Sequence, residues 1–152
     1  MKIYVDGSYN ESLNLAGYAF AVVENEEIKF AQKEAMILRN GNSVTAELIG
    51  VIKALEYCQS QGIQEVTIIH DYNEIPMFAF SYRKTKNPSI NSYVRKLREM
   101  RETIKVSFLK VKAHTDDRFN NYVDELSRKS IEEFLERLLK NKNNSKHSLE
   151  NR

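Results

Sequence analysis

The chain has few of the residues that staple small proteins together. Its 152 residues include one cysteine, Cys58, and no tryptophan. A single thiol excludes an intrachain disulfide framework and a cysteine-rich zinc site. No stretch approaches the roughly 20 apolar residues of a membrane span. The opening Met1-Lys2-Ile3-Tyr4-Val5-Asp6 lacks the apolar run of a signal peptide. The expected setting is reducing cytoplasm with no membrane partner. The length suits one domain that buries its own core.

Net charge is also small, at +2, but its distribution is uneven. Residues 1–80 carry 5 basic and 11 acidic side chains, residues 81–113 carry 10 and 2, and residues 114–152 carry 8 of each. The basic block includes Arg83, Lys84, Lys86, Arg95, Lys96, Arg98 and Arg101. Alone, such a run reads as a solvated helix face. Beside an acidic catalytic centre it becomes a surface that neutralises phosphates.

Hydrophobic periodicity predicts strands over Lys2–Gly7, Ala16–Glu24 and Glu27–Met36, with Asn25-Glu26 as a hairpin turn. A polar, turn-like segment is expected over Ser8–Leu15. Ser43 is expected to cap a helix running to about Ser60, with Val44, Leu48, Val51, Ile52, Leu55 and Cys58 on its apolar stripe. Glu65–His70 reads as a buried strand, Asn73–Ser81 as a short helix, Ile90–Glu102 as a basic helix and Lys105–Val111 as a fifth strand. A final helix is expected over Phe119–Leu139, with Phe119, Val123, Leu126, Phe134 and Leu138 inward. The fold class that follows is α/β: a mixed five-stranded sheet, three antiparallel strands and then parallel crossovers, flanked by helices. Residues 1–140 form the expected domain, and 141–152 a frayed or disordered tail.

Four acids stand where acids are costly. Asp6 ends the first strand, Glu47 borders the helix stripe, Asp71 follows the buried fourth strand, and Asp124 adjoins Val123 on the last helix. Buried carboxylates are disfavoured unless paired or bound to a cation. Each alone reads as a helix cap or an exposed acid. Four on separate elements fit a shared divalent-cation site better, and an all-oxygen set suits Mg²⁺ or Mn²⁺ rather than zinc.

Tyr4-Val5-Asp6-Gly7-Ser8, Thr45-Ala46-Glu47-Leu48, Ile69-His70-Asp71-Tyr72 and Val111-Lys112-Ala113-His114, with Asp124-Glu125-Leu126 beyond, occur in that order. This set resembles the catalytic domain of type 1 ribonuclease H, in its bacterial form, over about residues 2 to 130. The resemblance implies an endonuclease that hydrolyses the RNA strand of RNA/DNA hybrids with two Mg²⁺ ions, Mn²⁺ substituting, without sequence specificity. It implies that Asp6 bridges both metals, that Glu47 and Asp71 hold one side, and that Asp124 holds the other. It implies that His114 is a mobile histidine assisting proton transfer or product release. Gly7, Ser8, Asn42, Ser43, Thr45 and Asn73 would meet the hybrid's sugars and phosphates, and Lys84 and Lys86 would track the DNA backbone. A monomer is expected.

The chain departs from the family pattern in places. Ser43 stands where many members have asparagine, and Asn120 where some have glutamate. The loop after Gly7 is not glycine-rich, and the basic segment has no tryptophan, which points to weak hybrid affinity and low processivity. His70 and His147 lack a comparable context and read as a packing residue and a tail residue. Two other readings stay open: a non-catalytic nucleic-acid-binding module on the same fold, and a 3′–5′ exonuclease of the wider superfamily.

Overall fold

The computed structural model describes residues 1–71, 76, 87–111 and 117–150, with the backbone alone for 147–150. The expected helix over 73–81 lies outside the described residues. Five strands are present: β1 (Lys2–Asn10), β2 (Leu15–Glu24), β3 (Glu27–Ile37), β4 (Glu65–His70) and β5 (Lys105–Lys110). They form one sheet in the order β3-β2-β1-β4-β5. The β1–β2 and β2–β3 pairs are antiparallel, and β1–β4 and β4–β5 are parallel. The sequence-predicted mixed sheet is therefore the observed one.

Helices α1 (Ser43–Ser60) and α2 (Pro88–Met100) cover one face, and α3 (Arg118–Glu150) the other. The two-residue period of a strand sorts β1 between these layers. Ile3 and Val5 join the core under α1 and α2, while Tyr4 joins Phe119 and Val123 of α3. Asp6 shares the parity of Tyr4, which turns it toward the α3 side. The turn at Asn25-Glu26 takes positive φ at both residues, 52° and 60°. That is the twist a two-residue hairpin needs. Arg118, the first residue of α3, donates from Nη2 to the Glu26 carbonyl at 2.6 Å and ties the hairpin to the helix start.

Several boundaries differ from the sequence-based expectation. β1 continues past Gly7 to Asn10 because Ser8, Tyr9 and Asn10 pair with Gly17, Ala16 and Leu15. The N-cap of α1 is Asn42, not Ser43. Asn42 Oδ1 accepts from Thr45 N at 3.0 Å, and Asn42 N donates to Thr45 Oγ1 at 2.7 Å. This reciprocal pair satisfies two otherwise orphaned amides. The basic helix α2 starts at Pro88 rather than Ile90, with Asn87 as its cap. Asn87 Oδ1 accepts from Ser89 N and Ile90 N, and proline suits the first helical turn. α3 continues to Glu150 where a frayed or disordered tail is expected, with side chains 141–146 exposed. No glycine or proline interrupts that stretch. Leu138 is not inward but 46% exposed, on an open cleft that α3 shares with Lys33, Glu34 and Ala35 of β3.

Two close approaches fix the layers. A β-carbon at Gly7 would overlap the backbone of Ala46 and Glu47 in α1. One at Gly17 would meet Ser127 O at 2.7 Å and the Ser130 side chain in α3. Each glycine lets a helix lie directly on a strand. Gly7→Ala is therefore expected to lose about 1–3 kcal/mol by overpacking. Chemical denaturation measures this, and an unchanged midpoint would show that α1 yields at no cost.

Candidate metal and catalytic centre

β1 and β4 are parallel neighbours, so their C-terminal ends open on the same edge of the sheet. Asp6 is the middle residue of β1, two past Tyr4, the last β1 residue paired with β4, and Asp71 follows His70 at the end of β4. Glu47 comes from the first turns of α1, brought within reach by the contact across Gly7. One oxygen from each of Asp6, Glu47 and Asp71 lies within 4.8 Å of the other two. Asp6 is 4% exposed and Glu47 3%, while Asp71 is open to solvent.

Burial of like charges sets the electrostatics. Burial first, opposed by the hydrogen bonds of Glu47 and Ser127 and supported by the charges of Asp71 and Asp124, pushes the Asp6 carboxyl up to about 7. Burial, and then the proximity of Asp6 and Asp71, holds Glu47 well above the usual carboxylate range. The Oε2 atom of Glu47 is buried and has no hydrogen-bond partner among the described residues. An orphaned carboxylate oxygen in an all-oxygen cluster fits a hard divalent cation. Asp6, Glu47 and Asp71 are the residues that would hold it.

Asp124 stands apart from that cluster. Its Oδ2 accepts from Arg128 Nη2 at 2.9 Å, one turn along α3, and its side chain is 47% exposed. Its charge is still felt at Asp6. Ser127, on the same helix, reaches the cluster directly and donates to Asp6 Oδ2 at 2.8 Å. Sequence reasoning passed over this serine. The available signal was its position three residues after Asp124, on the same helix face.

The other site residues expected from sequence divide into three groups. Gly7 is the seat of α1, and the Ser8 hydroxyl lies 2.8 Å from Ser127 Oγ. Asn42 Oδ1 accepts from Thr45 N and the buried Thr45 hydroxyl donates to the Asn42 backbone carbonyl, so both side chains are engaged within the helix cap, while Ser43 is exposed. His114, Asn73, Lys84 and Lys86 lie outside the described residues. His70 is fully buried, with its ring edge-on to Phe108 at 6.0 Å, as a packing residue should be.

The family model described as RNase H matches residues 1–132. Ribonuclease H of Neorickettsia sennetsu is 31% identical over 146 residues, which covers 87% of this chain and 93% of that protein. Among solved structures, RNase H1 of the archaeon Halobacterium salinarum is similar at a TM-score of 0.74 and 18% identity, over 87% of this chain and 97% of that one. LC11-RNase H1, in a complex with an RNA/DNA hybrid, is similar at a TM-score of 0.74 and 20% identity, over 88% and 98%.

The raised carboxyls fix the sign of a pH effect. A carboxyl whose folded pKa is raised contributes stability that is complete below its unfolded value and lost as pH rises through the folded value. With Asp6 at about 7, metal-free protein should lose stability between about pH 5.5 and about pH 8. Millimolar Mg²⁺ should restore more of the melting temperature at the higher pH, where the ligands ionise. Thermal melts with chelator and with Mg²⁺ at both pH values check this. An equal Mg²⁺ effect at the two would contradict it.

Proposed function

The chain belongs to the RNase H family, and from that premise we propose that it is an endonuclease hydrolysing the RNA strand of RNA/DNA hybrids. The convergence of Asp6, Glu47 and Asp71, with Glu47 Oε2 lacking a hydrogen-bond partner among the described residues, supports this reading most. Two bound divalent cations would activate a water and stabilise the leaving 3′ oxygen, giving 5′-phosphate and 3′-hydroxyl ends. Mg²⁺ is the proposed ion, with Mn²⁺ able to substitute.

Asp6 presents its carboxylate between the two sides of the site. Glu47 and Asp71 flank it on the β4 and α1 side, and Asp124 serves the α3 side once it leaves Arg128. His114 takes or delivers a proton at the departing oxygen. Hybrid selection needs contacts that read 2′-hydroxyls on one strand and accept a deoxy backbone on the other. Gly7 and Ser8 supply groups next to the carboxylates, and Ser43, Asn42, Thr45 and Asn73 are assigned the remaining contacts with the hybrid. Since the Asn42 and Thr45 side chains are engaged in the cap, we assign them the task of shaping the helix start that receives a phosphate. Lys84 and Lys86 follow the DNA backbone by charge alone, so no base sequence is read. The working unit is residues 1–140, acting as a monomer, since all the carboxylates come from one chain. A reducing cytoplasm suits a protein whose single cysteine is a buried free thiol.

Asp6→Asn should fold normally and lower hybrid cleavage by orders of magnitude, because it removes the central charge of the cluster. Its metal-free form should melt no lower than wild type, since repulsion with Glu47 falls. Wild-type turnover in a purified Asp6→Asn sample would overturn the assignment. Replacing Lys84 and Lys86 together with alanine should weaken hybrid binding at low salt and reduce the slope of log affinity against log salt by up to about 2. An unchanged slope would reduce the basic block to a solvated face.

A further inference from the structure

Asp6 is held by more than its acidic neighbours. Ser127 has no exposed surface, and its Oγ lies 2.8 Å from Asp6 Oδ2. The same oxygen lies 3.0 Å from the carbonyl oxygen of Asp124 and 2.8 Å from Ser8 Oγ on β1. A serine inside a helix ordinarily bonds back to its own helix. Here an acceptor on another layer competes for the same proton.

The chemistry of a hydroxyl decides the direction. Ser127 has one proton to give and two lone pairs to accept with. An ionised Asp6 only accepts, and a bond to an ionised acceptor is stronger than one to a neutral carbonyl. The proton of Ser127 therefore goes to Asp6, and Ser8 donates to Ser127. The chain Ser8→Ser127→Asp6 runs in one sense, each bond polarising the next.

We propose that Ser127 is a positioning residue for Asp6: its hydroxyl pins Oδ2, fixes the rotation of the carboxylate, and leaves Oδ1 available to a divalent cation. This role rests on the nuclease reading only for the identity of the reaction; the cation site stands on the carboxylate geometry. Without the pin, Asp6 is a buried carboxylate with one fewer donor and free torsions. Binding an ion must then also order it. Outer partners of metal ligands typically govern affinity by about 10–100-fold.

The test titrates Mn²⁺ into metal-free wild type, Ser127→Ala and Ser127→Thr by calorimetry, alongside thermal melts and hybrid cleavage against metal concentration. Alanine favours a helix interior, so the first variant keeps its fold. Ser127→Ala should bind Mn²⁺ about 10-fold or more weakly and raise the metal concentration for half-maximal cleavage by the same factor. Its melting temperature in chelator should fall by no more than the loss of one buried hydrogen bond implies. Ser127→Thr, which restores the hydroxyl, should recover most of the affinity. Unchanged Mn²⁺ affinity in Ser127→Ala would overturn the proposal, as would a lowered melting temperature with no change in the metal midpoint. Weakened Mn²⁺ binding with no hybrid cleavage by wild type would support the serine's role and remove the nuclease reading.

Discussion

Two carboxylates, Asp6 and Glu47, lie side by side with almost all of their surface withdrawn from water. Taking one carboxylate out of water is costly, and setting a second against it adds repulsion. No described cation of the chain neutralises the pair; Arg128 faces Asp124 instead. The arrangement therefore spends folding energy on a cluster that becomes favourable only when a metal ion completes it. The glycine at position 7, the tight seat of α1 and the serine of α3 can each be understood as holding that costly geometry in place.

The fold supplies what the cluster needs. The parallel register of β1 and β4, with Tyr4 opposite Ile69, sets Asp6 in mid-strand beside Asp71 at the end of β4. The missing side chain at Gly7 brings the backbone of Glu47 up to β1. On the opposite layer Gly17 admits α3 closely enough for Ser127 to reach Asp6. A core of aliphatic and aromatic side chains on both faces of the sheet carries these contacts rigidly. Stability here serves placement, since a cation site tolerates little freedom in its ligands.

Much of this was legible in the sequence. The five strands, their mixed pairing and the approach of Asp6, Glu47 and Asp71 all follow from alternation, helical stripes and motif order. The rest turned on contacts that periodicity does not encode. Ser43 looked like a cap because it opens the apolar run, yet Asn42 takes the position through its reciprocal bonds with Thr45. Leu138 fits the inward stripe of α3, but it lies on an open cleft beside β3 rather than in the core. The sequence groups Asp124 with the other acids because it adjoins inward Val123, whereas its side chain turns to Arg128, a favourable partner one turn away. Ser127 escaped notice because a serine in a helix is ordinarily a neutral filler, and only the third dimension sets it against Asp6.

The most direct measurement incubates purified protein with an end-labelled RNA/DNA hybrid, with Mg²⁺, with Mn²⁺ and with chelator. Single-stranded RNA, duplex RNA and duplex DNA run in parallel. The account predicts internal cuts confined to the RNA of the hybrid, present with either metal and abolished by chelator. Stepwise loss from an end, or a folded protein that leaves the hybrid intact with both metals, would contradict it.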